Sequence, residues 1–202
     1  MNHLRLFSGL IVILTLLTCS QSTSPDLPPD VPDDAALNVL VFSRTNGFRH
    51  KSIEPGVEAF KKLGAAQNWT LSFSEDSTIF TSDHLKNYQV VVFLNTTGNI
   101  LNTSQETAFE NYIKNGGGFV GIHSATDTEY DWDFYGRLIG AYFASHPQVQ
   151  EATVRIKNAQ HPATEQVPNV WQKIDEWYNF KKPVADYVNV LAEVDESTYQ
   201  GG

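Results

Sequence analysis

Gly116-Gly117-Gly118-Phe119-Val120-Gly121-Ile122-His123-Ser124-Ala125 is the stretch that decides how this chain folds. Three glycines halt what precedes them, and an apolar run then leads directly into a small-residue turn bearing a histidine. Upstream, Phe109, Tyr112 and Ile113 recur at helical spacing, Thr103 and Glu106 form a predicted capping box, and Gly116 is placed to end the helix. Residues 119–122 are apolar without alternation, as expected of a parallel strand covered on both faces. As a string, residues 116–121 satisfy G-x-G-x-x-G. The dinucleotide fingerprint follows a strand and opens a helix, however, and here the order is reversed, so the glycines read as a helix stop and a tight turn.

The same grammar extends outward. Residues 38–43 and 90–94 are further continuous apolar strands, and residues 69–74 are expected as another strand. Ser52 is a predicted cap for a helix with Ile53, Val57, Phe60 and Leu63 on one face, and Pro55 is tolerated in its first turn. Strand and helix alternate, which predicts an α/β doubly wound parallel sheet. Residues 151–157 and 188–194 are expected as later strands. In such sheets ligands bind outside the carboxyl ends of the strands. The polar segments 43–50, 95–99 and 123–130 all follow strands, so three segments distant in sequence are expected to meet on one rim.

Candidate functional residues lie in those segments. His123 occupies the position a nucleophile would take on a strand-to-helix elbow. A G-x-S-x-G serine is excluded, because Ser124 is out of register and Ala125 replaces the final glycine. Among Asp127, Glu129 and Asp131, Asp127 lies nearest the turn and is expected to orient an imidazole or a sugar hydroxyl. Their spacing matches neither an EF-hand loop nor a zinc-protease helix. His50, His123 and His146 form a candidate set for zinc or a similar divalent metal, should their loops converge. Asp175-Glu176-Trp177-Tyr178 and Tyr130-Asp131-Trp132 set aromatics beside carboxylates, a pattern suited to packing sugar rings while bonding their hydroxyls. For Trp132 and Trp177, core packing is the competing reading.

Composition narrows the function classes. The 202 residues are 41% apolar and 12% aromatic, enough for a real core, and the net charge is −9. An acidic chain with no basic cluster argues against nucleic acid or an anionic membrane as partner. The single cysteine, Cys19, lies outside the predicted domain, so no thiol there can act as nucleophile or ligand. Residues 1–19 read as a signal peptide of lipoprotein type, with Arg5 before an apolar run and Cys19 as the lipidation site. The Pro/Ser/Asp-rich residues 20–37 read as a spacer, and 38–202 as the domain. These features predict an exported, envelope or periplasmic protein whose sole membrane attachment is a lipid at Cys19.

VLVFSRTNGFRHKSI from residue 39, GGGFVGIHSATDTEYDWDFYGRLIGAYFASHP from residue 116, DEWYNF and DESTY together resemble the ThuA-like (trehalose utilisation) family. That resemblance implies a flavodoxin-like fold of the class I glutamine amidotransferase-like superfamily. It also implies that the family domain continues past residue 202 with a strand and a helix. In the superfamily's amidotransferases the elbow residue is cysteine. Here it is His123, so glutamine hydrolysis through a thioester is chemically closed. The family's motif residues map onto His50, His123, Asp127, His146 and Glu176.

The resulting expectation is an enzyme acting on a sugar or oxidised disaccharide by acid–base or metal-assisted chemistry. His123 is its central group, Glu176 the second proton-transfer group, and Asp127 the orienting acid. His50 and His146 polarise or ligate, Asn46 and Tyr178 position hydroxyls, and Trp132 and Trp177 supply aromatic faces. A non-catalytic carbohydrate-binding lipoprotein is the alternative, and an interaction module within an exported assembly a third.

Overall fold

The computed structural model describes residues 36–202. The leader, Cys19 and the spacer up to residue 35 lie outside the described residues. The chain runs through β1 (Asn38–Phe42), α1 (Ile53–Gln67), β2 (Thr70–Ser74), α2 (Ser82–Leu85), β3 (Val90–Leu94), α3 (Thr103–Lys114), β4 (Gly118–Ile122) and α4 (Asp133–Ile139). It continues through β5 (Phe143–Ser145), β6 (Gln150–Ile156), β7 (Val170–Asp175), β8 (Asn179–Phe180) and β9 (Ala192–Asp195). Short 3-10 turns span Ser77–Ile79, His123–Asp127 and Glu196–Thr198.

The first four strands form one parallel sheet in the order β2-β1-β3-β4. Consecutive apolar residues in β1 and β3 have a direct structural cause, because both faces of these central strands are covered. On one face Val39, Val41, Val92 and Leu94 pack against Val57 and Phe60 of α1. On the other, Leu40, Phe42, Val91 and Phe93 meet Leu85 of α2, Phe109 and Tyr112 of α3 and Tyr135 of α4. Phe42, Phe80, Phe93, Phe109 and Tyr135 are fully buried there, and each such side chain contributes about 1.5–3 kcal/mol. Val120 of the edge strand β4 stays 45% exposed.

The three glycines do what their order implied. Gly116 adopts φ 94° after α3, a left-handed conformation that lets the chain reverse into β4. Gly117 has no room for a side chain, since a Cβ there would lie 2.3 Å from the Tyr112 ring. Both predicted helix caps need correction. The capping box of α3 is formed by Asn102 and Gln105, one residue ahead of Thr103 and Glu106. The Asn102 side chain accepts from the Ser104 and Gln105 N–H groups, and Gln105 returns a bond to the Asn102 N–H. Ser52 precedes α1 but makes no side-chain cap, because its hydroxyl instead accepts from the Asn95 amide at 2.5 Å.

Beyond β4 the chain changes style. β6 pairs antiparallel with β7 and β9, and β5 with β8. The strand expected over 188–194 shortens to Ala192–Asp195. The β7 strand, with exposed Val170 and Ile174, had no clear apolar signal to announce it. Among the described residues, no helix is long and apolar enough to cross a membrane.

Candidate active site

The three rim segments do meet. The Asn46 N–H donates to the Thr97 carbonyl at 2.8 Å, tying the β1 loop to the β3 loop. The Gly98 N–H donates to the Asp127 carbonyl at 2.8 Å, tying the β3 loop to the turn after β4. Buried Glu129 clamps the seam by accepting the N–H groups of Ile100 and Leu101, both at 2.7 Å. Burial pushes its carboxyl above the usual range, and these two bonds work against that rise. Two strands end in left-handed residues at this rim, Asn95 with φ 53° after β3 and His123 with φ 51° after β4. Asparagine visits this region readily. Histidine does so at a cost of about 1–2 kcal/mol, so the surrounding structure holds His123 in a strained elbow.

A fourth segment, between β7 and β8, completes the site. It brings Glu176 and Tyr178 over the rim, where Glu176 Oε2 lies 3.2 Å from His123 Nε2 and 3.5 Å from His50 Nε2. Tyr178 Oη lies 2.9 Å from His123 Nε2 and 3.4 Å from His50 Nε2. The two imidazoles stand edge to face, with centroids 4.6 Å apart. His50 Nδ1 is buried and without a hydrogen-bond partner among the described residues, so the polar contacts of this ring are made through Nε2. One potential ligand atom from each of His50, His123 and Glu176 lies within 4.8 Å of the others.

Electrostatics sharpens the contrast within the cluster. Burial, then the neighbouring His50, lowers the pKa of His123, while Glu176 and Asp175 act in the opposite sense. Burial, followed by Glu176, Asp127 and Asp175, raises Tyr178 well above the ordinary phenol value. The site therefore holds a neutral phenol able to donate, beside the His123 imidazole able to accept.

The remaining expected residues are spread more widely. Asp127 does not reach an imidazole; its carboxylate accepts from the Tyr130 hydroxyl at 2.5 Å. His146 is exposed and its Nδ1 donates to the Pro147 carbonyl at 2.7 Å, with its ring 6.0 Å from that of Tyr178. It stands outside the three-residue ligand group. Asn46 is exposed, and its amide donates to the Asn99 carbonyl. Trp132 packs on the core cluster, stacked on Tyr135 at 6.0 Å. The Trp177 indole N–H donates to the Gln150 carbonyl at 2.8 Å, and its ring neighbours Tyr199.

Two aromatics beside the cluster escaped the sequence reading. Phe48 is 68% exposed with its ring 4.9 Å from His50, and Phe143 lies 4.3 Å from Tyr178. For Phe48 the signal was an apolar residue within a polar turn; for Phe143 there was none. A separate cleft of about 640 Å³ lies between α1 and β2, lined by Ile53, Val57 and Phe73. Its arginine, Arg49, is already engaged by Glu54 at 2.7 Å and Glu75 at 3.0 Å. The titratable groups converge at the rim rather than here.

The family model for ThuA, described as trehalose utilisation, matches residues 38–202, which contain every strand and helix described above. This chain belongs to the ThuA family. Membership implies a role in trehalose utilisation. A crystal structure of a ThuA-like protein from Bacteroides uniformis ATCC 8492 is similar at a TM-score of 0.70 and 25% identity, covering 88% of this chain and 74% of that one. A ThuA-like protein from Parabacteroides merdae ATCC 43184 shares the fold at a TM-score of 0.66 and 18% identity, covering 79% of this chain and 68% of that one. No curated protein matches the chain. In this ThuA family chain the position directly after β4 holds His123.

Proposed function

We propose that this ThuA family protein is an exported enzyme acting on a sugar or oxidised disaccharide through proton transfer at the His50–His123–Glu176–Tyr178 cluster. The observation that carries the reading is the convergence of Tyr178 Oη and Glu176 Oε2 on His123 Nε2, at 2.9 and 3.2 Å. A base and a neutral acid side by side suit chemistry next to a carbonyl. His123 or Glu176 removes the proton from the carbon beside a keto group, and the electron pair moves onto the carbonyl oxygen. Tyr178 donates to that oxygen. Return of the proton to the former carbonyl carbon, with the hydroxyl proton of the first carbon passing back to Tyr178 as the new carbonyl forms there, gives isomerisation. Expulsion of a glycosidic oxygen that takes up the proton gives elimination. Each outcome conserves the proton and needs no oxidant. Export rests on the leader and Cys19, as read from the sequence.

The test is incubation of the purified chain with trehalose-type disaccharides and their keto forms, followed by proton NMR, beside His123→Ala. New product from the wild type alone, with both proteins equally folded by circular dichroism, supports the reading. Equal turnover by His123→Ala would refute it. Saturable sugar binding without product would instead establish a carbohydrate-binding lipoprotein, for which exposed Phe48 beside His50 supplies a sugar-stacking face.

A further inference from the structure

We infer that His50 Nε2, His123 Nε2 and Glu176 Oε2 form a binding site for one divalent transition-metal ion of the zinc class. This deepens the preceding reading and rests on it only in treating the cluster as the reaction centre. The ligand set differs from the three-histidine set expected from sequence, because Glu176 stands where His146 was expected.

The distances carry the inference. A protonated imidazole paired with a carboxylate settles at about 2.7–2.9 Å. Here the two His–Glu contacts are longer, at 3.2 and 3.5 Å. Donor atoms about 2.0–2.1 Å from a tetrahedral ion stand about 3.3 Å apart, midway between these values. All three donor atoms lie within 4.8 Å of one another, and they come from three separate chain segments. Two of the three segments are restrained: His123 sits on a left-handed elbow, and the β1 loop that carries His50 is bonded to Thr97. Two imidazoles and one carboxylate leave coordination positions open, the pattern of catalytic rather than structural sites. A sugar hydroxyl and its adjacent carbonyl would fill such positions. An ion there would polarise the sugar oxygen. His123 Nε2 would then be a ligand rather than the base, leaving proton removal to the second carboxylate oxygen of Glu176 and proton donation to Tyr178, whose hydroxyl lies 2.9 Å from His123 Nε2.

The experiment is titration of the metal-stripped full chain with Zn²⁺ by calorimetry and with Co²⁺ by visible absorbance. It is repeated for His50→Ala, Glu176→Gln and His146→Ala, with folding checked by circular dichroism. One ion per chain is expected. Removing an outer partner of a metal ligand typically costs 10–100-fold, so loss of a direct ligand in His50→Ala or Glu176→Gln weakens binding by at least about 100-fold. His146→Ala changes it by less than about 3-fold. Absence of one-to-one binding of either ion overturns the inference. So does tight binding that survives in a well-folded Glu176→Gln. A chain that turns over sugar in a His123-dependent way yet binds no metal refutes the ion and leaves the sugar reading standing. One that binds metal at these residues and transforms no sugar does the reverse.

Discussion

His123 Nε2 and Tyr178 Oη, separated by 55 positions in sequence, lie 2.9 Å apart, with their rings 4.5 Å between centroids. The hydroxyl and the ring of Tyr178 therefore do separable jobs. In Tyr178→Phe the ring keeps its packing against Phe143, and stability falls by no more than about 1 kcal/mol, the net worth of one hydrogen bond. Turnover of the sugar substrate falls by about 10²-fold or more, through kcat rather than KM, as expected for loss of a proton donor. Steady-state kinetics beside urea denaturation separates the two effects.

The left-handed backbone at His123 gives a second outcome. With the imidazole removed in both variants, His123→Gly is more stable than His123→Ala by about 1 kcal/mol, the reverse of the usual order, because only glycine occupies φ 51° without cost. Paired urea titrations measure this, and an alanine variant at least as stable as the glycine one would show the elbow to be unstrained.

Glu129 ties the β3 loop to the turn carrying the site. Glu129→Ala strips the Ile100 and Leu101 N–H groups of their partner and costs about 2–4 kcal/mol in denaturation experiments. Glu129→Gln retains an accepting oxygen and isolates the titration. Burial raises the carboxyl above its ordinary 4.5, so folding favours the protonated form. That contribution is fully present below about pH 4.5 and is lost as pH rises through the elevated folded value. Between about pH 4 and pH 8 the stability of the wild type therefore declines relative to Glu129→Gln, as melting curves across that range will record.

Phe48 and Trp132 separate surface from core. Phe48→Ala changes stability by less than about 0.5 kcal/mol, as expected of an exposed side chain. It weakens sugar binding by about 3–10-fold, the worth of one aromatic contact. Trp132→Ala opens the cluster against Tyr135 and Phe109 and costs about 2–4 kcal/mol in chemical denaturation. Its effect on sugar affinity in the folded fraction is small by comparison.

The legible part of the fold was the parallel sheet. Continuous apolar runs in β1 and β3 are satisfied by cover on both faces, whereas the run in edge strand β4 leaves Val120 exposed on one face, and the glycines after α3 punctuate the chain by local backbone sterics. The antiparallel strands were less legible. Half-exposed β7 mixes Val170 and Ile174 with Gln172 and Lys173, and what recruits it is pairing with β6, a partner about 20 residues away. The capping boundary of α3 was misplaced by one residue because Thr103 and Asn102 are both competent caps. Only the backbone path selects between them.

From the sequence alone came the local features: which residues form strands, which turns follow them, that His50 and His123 stand on one rim, and that residues 38–202 contain no cysteine. These depend on neighbours a few positions apart, where periodicity and backbone sterics act. Tertiary structure decided which distant side chains share a point in space. It brought Glu176 to the two imidazoles, left His146 outside their ligand group, gave Asp127 to Tyr130 and packed Trp132 on the core. Residues 50, 123 and 176 meet because β1 and β4 are fixed in one sheet while β7, paired with β6 in another, carries the Glu176 segment across the rim. Spacing along a chain holds no information about that crossing, because it is set by long-range strand pairing and by the contacts that Glu176 and Tyr178 make with the two imidazoles.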